Sequence, residues 1–125
     1  MSRSLLVATL LLAACGVDPS EDERPRTMHY IANVILAPSC GNAQCHSSQR
    51  QEKNRAFDTV ERACESLVYD VVAGDHEASF LYQVLVRPIK RMPYDQPMAN
   101  VDRDLIVDWI DLGAPGLPAT IEGCP

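Results

Sequence analysis

From residue 27 to residue 112 the large apolar side chains recur at three- and four-residue intervals, and no run alternates convincingly. A period near 3.6 with no period of 2 selects helices over strands. Prolines and glycines cut the pattern into short pieces. The expectation is an all-α fold, a small domain of about four helices with long loops.

The first helix is expected to take Thr27 as N-cap and to place Ile31, Val34 and Ile35 on one face, with Met28 a turn earlier. It should end before Pro38, leaving residues 39–48 as polar loop. The second should open on Asp58 as N-cap, with Glu61 three residues later in a capping-box arrangement. Its buried stripe would be Val60, Ala63, Cys64, Leu67 and Val68, and Gly74 would end the stretch. A shorter third helix is expected over residues 78–86, turning Phe80, Leu81, Val84 and Leu85 inward, with Pro88 closing it. Residues 87–99 hold three Lys/Arg, three prolines and two methionines, and read as extended loop. The last helix should follow Asn100 as N-cap, with Asp102 and Asp104 complementing its dipole. Val101, Leu105, Ile106, Trp109 and Ile110 would be its apolar face, Trp109 acting as a core anchor, and Gly113 and Pro115 would end it. Residues 116–125 read as an irregular tail.

Residues 1–14 do not belong to this pattern. Arg3 precedes an eight-residue apolar run, residues 5–12, far short of the roughly 20 needed to span a bilayer. Such a run suits the hydrophobic part of a secretory signal. Leu12-Ala13-Ala14-Cys15 follows at once and resembles the bacterial lipobox. The resemblance implies cleavage before Cys15 and lipid on its thiol, several acyl chains holding far better than one. Gly16, not Asp, comes next, so the common inner-membrane retention signal is absent. The expected place is the cell envelope, lipid-anchored at the outer membrane and facing the periplasm. Residues 15–26 carry several charges and one large apolar side chain and read as a flexible, lipidated tether. The folded domain is then 27–125, a size whose modest core often needs a covalent or cofactor staple.

The chain has 11 Lys+Arg against 17 Asp+Glu, a formal net charge of −6, and loses one more positive charge with Arg3. No basic excess offers itself to nucleic acid or to an anionic surface. The expected partner at this point is the membrane, through Cys15. No nucleophile elbow or His-Glu-x-x-His motif is present.

Apart from Cys15, the cysteines are Cys40, Cys45, Cys64 and Cys124. An exported compartment permits disulfides, and four thiols allow three pairings between which sequence does not choose. Cys40-Gly41-Asn42-Ala43-Gln44-Cys45-His46 is the most informative stretch. Two thiols and an adjoining imidazole are what covalent haem attachment requires: each thiol adds across a vinyl group and the imidazole meets the iron. Pro38-Ser39-Cys40, Cys45-His46-Ser47, Met92-Pro93 and the run from Trp109 through Gly113-Ala114 together resemble the cytochrome c-like family, in its small lipoprotein and periplasmic versions. The resemblance covers roughly residues 30–114. It implies a helical fold around one haem c, first and last helices packed together, and one-electron transfer at the cell envelope with a redox protein as partner, an electron carrier more than an enzyme. It assigns the thioethers to Cys40 and Cys45, the proximal ligand to His46 and the distal ligand to Met92, with Met98 as second candidate. Four residues separate the cysteines where the family usually has two.

Two further readings stand beside it. A haem-free lipoprotein with disulfides between Cys40 and Cys45 and between Cys64 and Cys124 would serve as a binding or structural module. Cys40, Cys45, His46 and Cys64 also have the ligand types of a zinc site. With Cys40 and Cys45 accounted for, Cys64 and Cys124 are expected to pair and pin the tail to the second helix. His29 and His76 receive no role.

Overall fold

The computed structural model describes residues 22–125. The expected signal peptide, Cys15 and the start of the expected tether lie outside the described residues. The fold is all-α, four helices joined by long loops.

Helix α1 occupies residues 28–40 in three registers: α-helical Met28–Tyr30, π-helical Ile31–Leu36 and α-helical Ala37–Cys40. Helix α2 is Val60–Asp70, α3 is Phe80–Val86 and α4 is Asn100–Asp111. Single 3-10 turns cover Glu52–Asn54 and Ile121–Gly123. The described residues include no strand, and no helix among them is long and apolar enough to cross a membrane.

Thr27 caps α1 as expected, its hydroxyl accepting from the Tyr30 N–H at 3.3 Å. The helix does not stop before Pro38 but runs through it to Cys40. A proline in a regular helix lacks a donor and collides with the carbonyl four residues back. Here the preceding turn is widened, and the Ala37 N–H reaches five residues back to the Ala32 carbonyl. The wider turn makes room for the ring, and Cys40 ends up on the last turn of α1.

Helix α2 starts one residue later than expected. Thr59, not Asp58, is its N-cap, accepting from the Arg62 N–H at 3.3 Å. Asp58 is committed elsewhere, to Ser48. The buried stripe holds Ala63, Cys64 and Leu67 as expected, with Ser66 and Asp70 added; Val60 and Val68 are half-buried. Helix α3 begins at Phe80, because the hydroxyl of fully buried Ser79 accepts from the Val72 N–H at 2.8 Å and donates to the Asp75 carbonyl at 2.7 Å. Leu81 and Leu85 are its inner residues, while Phe80 is exposed and Val84 half-buried.

Helix α4 buries Leu105, Ile106, Trp109 and Ile110 and exposes Val101. Ala99 stands at the N-cap and Asn100 is the first helical residue. The C-terminus closes with the Gly113 N–H on the Ile110 carbonyl and the Ala114 N–H on the Trp109 carbonyl. Gly113 takes φ 92°, which a side chain would resist. One carbonyl, that of Pro115, accepts from the Met28 N–H at 2.9 Å and from Trp109 Nε1 at 3.1 Å, so the start of α1 and the end of α4 share an acceptor. Residues of all four helices form one core cluster. Cys64 and Cys124 are disulfide-bonded with Cα atoms 5.8 Å apart, tying the tail to α2 as expected.

The last residues of the stretch read as a tether lie on α4. Arg24 contacts Asp22, Asp102 (2.5 Å) and the Val101 carbonyl (2.9 Å), and Arg26 reaches Asp108 at 3.1 Å. Hydrogen bonds from the Arg24 N–H and guanidinium hold the Asp22 carboxyl at about 2. Charge pairing, which composition does not display, orders a segment with little to bury.

Candidate functional site

Residues 41–59 fold as a loop around His46. Gly41 begins it, and a Cβ there would stand 2.8 Å from the Ala37 carbonyl oxygen and from the Asp58 N and Cα. Only glycine lets the far end of the loop cross the end of α1 this closely. The Ser48 N–H and hydroxyl each donate to Asp58 at 2.8 Å. Desolvation pushes the Asp58 carboxyl up, but the two Ser48 donors outweigh it and hold the group below the ordinary carboxylate range. Gln51, Lys53 and Asn54 adopt left-handed φ of 46°, 56° and 58°. The strain of three such residues is offset by bonds such as Gln51 N–H to Ser47 carbonyl (2.8 Å) and Glu52 N–H to Cys45 carbonyl (3.2 Å).

His46 is half-buried and held on several sides. Its N–H donates to the Cys40 carbonyl at 3.1 Å, and its own carbonyl accepts from the Phe57 N–H at 2.7 Å. The ring lies edge-on to Phe57, centroids 5.5 Å apart. Nδ1 is 3.3 Å from the Arg55 carbonyl. A carbonyl can only accept, so Nδ1 is the donor in this contact, and in the neutral ring the lone pair is then on Nε2.

The segment that meets His46 is itself held by α2. The Arg55 guanidinium grips Asp70 with Nε and Nη2, both at 2.7 Å, and Asp70 is buried. This fork raises the Arg55 pKa. The buried Ser66 hydroxyl accepts from the Ala56 N–H at 3.1 Å and faces the Ala56 and Arg62 carbonyls. Helix α2 thus fixes residues 55–57, and residues 55–57 fix the imidazole. Sequence reasoning missed Gly41, Arg55, Ser66 and Asp70. The available signal was two polar residues, Ser66 and Asp70, at helical spacing on an apolar stripe.

Cys40, Cys45 and His46 are linked through the backbone, the His46 N–H meeting the Cys40 carbonyl, and both cysteines are half-buried. Burial, with the neighbouring Cys45 adding to it, pushes the Cys40 thiol up to about 12. The disulfide expected between Cys40 and Cys45 in the haem-free reading is not formed: both are free thiols. The loop between them is closed instead by the Cys45 N–H on the Asn42 carbonyl, 3.1 Å, and by the His46 bond to Cys40. The zinc set does not assemble either. Cys64 is consumed by its disulfide, and the described residues hold no group of three or more His, Cys, Asp or Glu placed for a metal ion.

Met92 lies in the other loop, half-buried, its N–H donating to the Val84 carbonyl at 2.8 Å. No hydrogen bond or ring contact joins it to His46 among the described residues. Met98 packs against the apolar core, whereas Met92 does not belong to that cluster. Of the two methionines, Met92 has the sulfur not engaged by the core. His76, given no role from sequence, places Nδ1 2.8 Å from both Asp111 carboxylate oxygens and ties the turn before α3 to the end of α4. That hydrogen bond holds the Asp111 carboxyl below its ordinary range.

Comparison with known protein families, with curated proteins and with solved structures finds no match for this chain.

Proposed function

We propose that this chain is a membrane-anchored monohaem c-type cytochrome that carries single electrons in the cell envelope. The observation that carries the reading is the setting of His46. Its Nδ1 faces the Arg55 carbonyl, and the same loop carries two unpaired thiols, Cys40 and Cys45. A ligating histidine with its second nitrogen on a backbone carbonyl has its tautomer and ring orientation fixed, and its basicity raised.

The donor set fits such a group: two thiols, an imidazole nitrogen and a thioether sulfur not engaged by the core. When bound, the haem would supply the one-electron couple. Cys40 and Cys45 would hold it covalently, and His46 and Met92 would supply an imidazole and a thioether ligand, a donor pair that favours ferrous iron. The chain's own work is positioning. The Arg55 carbonyl keeps the proton on Nδ1, Asp70 and Ser66 keep that carbonyl still, and Asp58 keeps the loop closed on itself. Lipid on Cys15 would hold the carrier at the membrane.

The test is expression of the full chain with cytochrome maturation factors, followed by haem staining of a denaturing gel and an optical spectrum. Covalent haem, with bands that sharpen on reduction, is expected. Replacing Met92 should abolish the thioether-to-iron absorption while the stain persists. A colourless protein under these conditions would sink the proposal.

A further inference from the structure

Among the described residues every lysine and arginine stands within ion-pair distance of a carboxylate, except three. The three are Arg87, Lys90 and Arg91, and they fall within five residues of one loop. The same stretch holds the two most exposed large apolar side chains, Ile89 at 75% and Tyr94 at 72%. The Arg87 guanidinium donates through Nε to the Lys90 carbonyl at 2.6 Å, and Lys90 is left-handed at φ 55°. The loop is thus bent with Ile89 outward, and Lys90 and Arg91 are both exposed. Net charge hides this patch, because ion pairing cancels the other cations locally.

We infer that residues 87–94 are a docking surface for an anionic phospholipid bilayer. An aliphatic side chain and a phenol flanked by cations suit the boundary between headgroups and acyl chains: the apolar parts sink and the charges meet phosphate. The course of the chain points the same way. Arg24 rests on Asp102 and on the Val101 carbonyl, and Arg26 lies further along at Asp108. The chain therefore enters the fold at the N-terminal end of α4, the end at which the 87–99 loop joins. Asp22 is seven residues from Cys15, so the fold is held within about 25 Å of that residue. The inference rests on the lipid-anchor reading, since acyl chains on Cys15 keep the loop at high local concentration over the bilayer. The rest of the domain is acidic, so this loop alone favours an anionic surface, and docking would orient the domain with the Met92 loop toward the membrane.

The experiment uses the full lipidated protein in vesicles of phosphatidylethanolamine with phosphatidylglycerol, and in vesicles of phosphatidylcholine alone. Flotation reads the anchor, and amide hydrogen exchange reads the loop. The expected result is flotation with both vesicles, and exchange at Ile89, Lys90, Arg91 and Tyr94 slowed about fivefold or more only on the anionic ones. High salt, or the double substitution Lys90→Glu with Arg91→Glu, should remove the slowing; both positions are exposed, and circular dichroism checks the fold of the variant. Flotation with equal exchange on both vesicles overturns the docking surface and leaves the anchor standing. Failure to float overturns the anchor reading and the inference with it. Slowing that appears only when an acidic soluble protein is added makes the loop a protein-docking face and overturns the lipid assignment.

Discussion

His46 and Met92 both sit in long loops between helices, and the two loops are built by different means. The loop at 41–59 is held by side-chain hydrogen bonds along most of its course: Ser48 to Asp58, Ala56 to Ser66, Arg55 to Asp70, His46 to Arg55. Each contact leads back to α2 or its entry. The loop at 87–99 has the Met92 bond to Val84 and the Arg87 bond to Lys90, and its largest side chains face solvent. A rigid side and an adaptable side are compatible with one ligand fixed before binding and another free to follow. The contrast is open to attack from either loop.

The largest effect should come from the disulfide under the rigid side. Cys64 lies on α2 and its partner is 60 residues away. Closing a loop of that length stabilises by about 4 kcal/mol in the chain-entropy model. Replacing Cys64 and Cys124 with alanine should lower the urea midpoint accordingly and loosen amides of residues 45–58 before those of residues 88–95. Uniform loosening of both loops would erase the distinction between them.

Next comes Asp70→Ala. It leaves the Arg55 guanidinium, whose side chain is 27% exposed, without its buried partner. Breaking such a pair costs about 3 kcal/mol, the low end of the range because Arg55 keeps some water. If the proposed haem is attached, its covalent yield should fall as well, since the Arg55 carbonyl that faces His46 loses its support. A variant of wild-type stability and full haem yield would show that α2 does not position the imidazole.

Third is Gly41→Ala. Its Cβ would meet three backbone atoms at 2.8 Å, none of them able to swing aside. Overpacking of this kind costs about 2 kcal/mol. Thermal unfolding reads it, and an unchanged midpoint would mean that the loop end and α1 can separate freely.

These positions show what sequence displays and what it hides. The helices were legible because apolar spacing is local: the stripes at Ala63, Cys64 and Leu67 and at Leu105, Ile106, Trp109 and Ile110 lie where their period put them. Pro38 misled, because a widened turn depends on hydrogen bonds that composition does not announce. Asp58 and Thr59 are both good caps, and which of them caps depends on Ser48, ten residues away from Asp58. The Cys64–Cys124 pairing was legible by elimination alone. The three cations left without a carboxylate partner among the described residues were not legible at all, since ion pairing is a property of the folded surface and net charge averages over it.

A smaller effect separates the loops by pH. Asp58 is held below the ordinary carboxylate range, near 3.9 for aspartate, by its Ser48 donors. A depressed folded pKa contributes stability that is fully present above the unfolded value and is lost as pH falls through the folded one. Protection of the Ser48 amide should therefore hold above about pH 4 and drop several-fold as pH falls below it. The Met92 amide donates to a carbonyl that does not titrate, and its protection should hold over the same fall in pH. Asp58→Asn should flatten the Ser48 response; a Ser48 profile unchanged by that substitution would place the acid sensitivity elsewhere.

The smallest effect is expected at Met92. The side chain is half-buried and outside the core cluster, and its loop is held at this point through the backbone N–H. Met92→Leu keeps that N–H and nearly the same volume, so haem-free protein should change by less than about 0.5 kcal/mol in a urea melt. A loss of 2 kcal/mol or more would mean that the thioether already packs as core does, and the adaptable loop would then be as fixed as the one that carries His46.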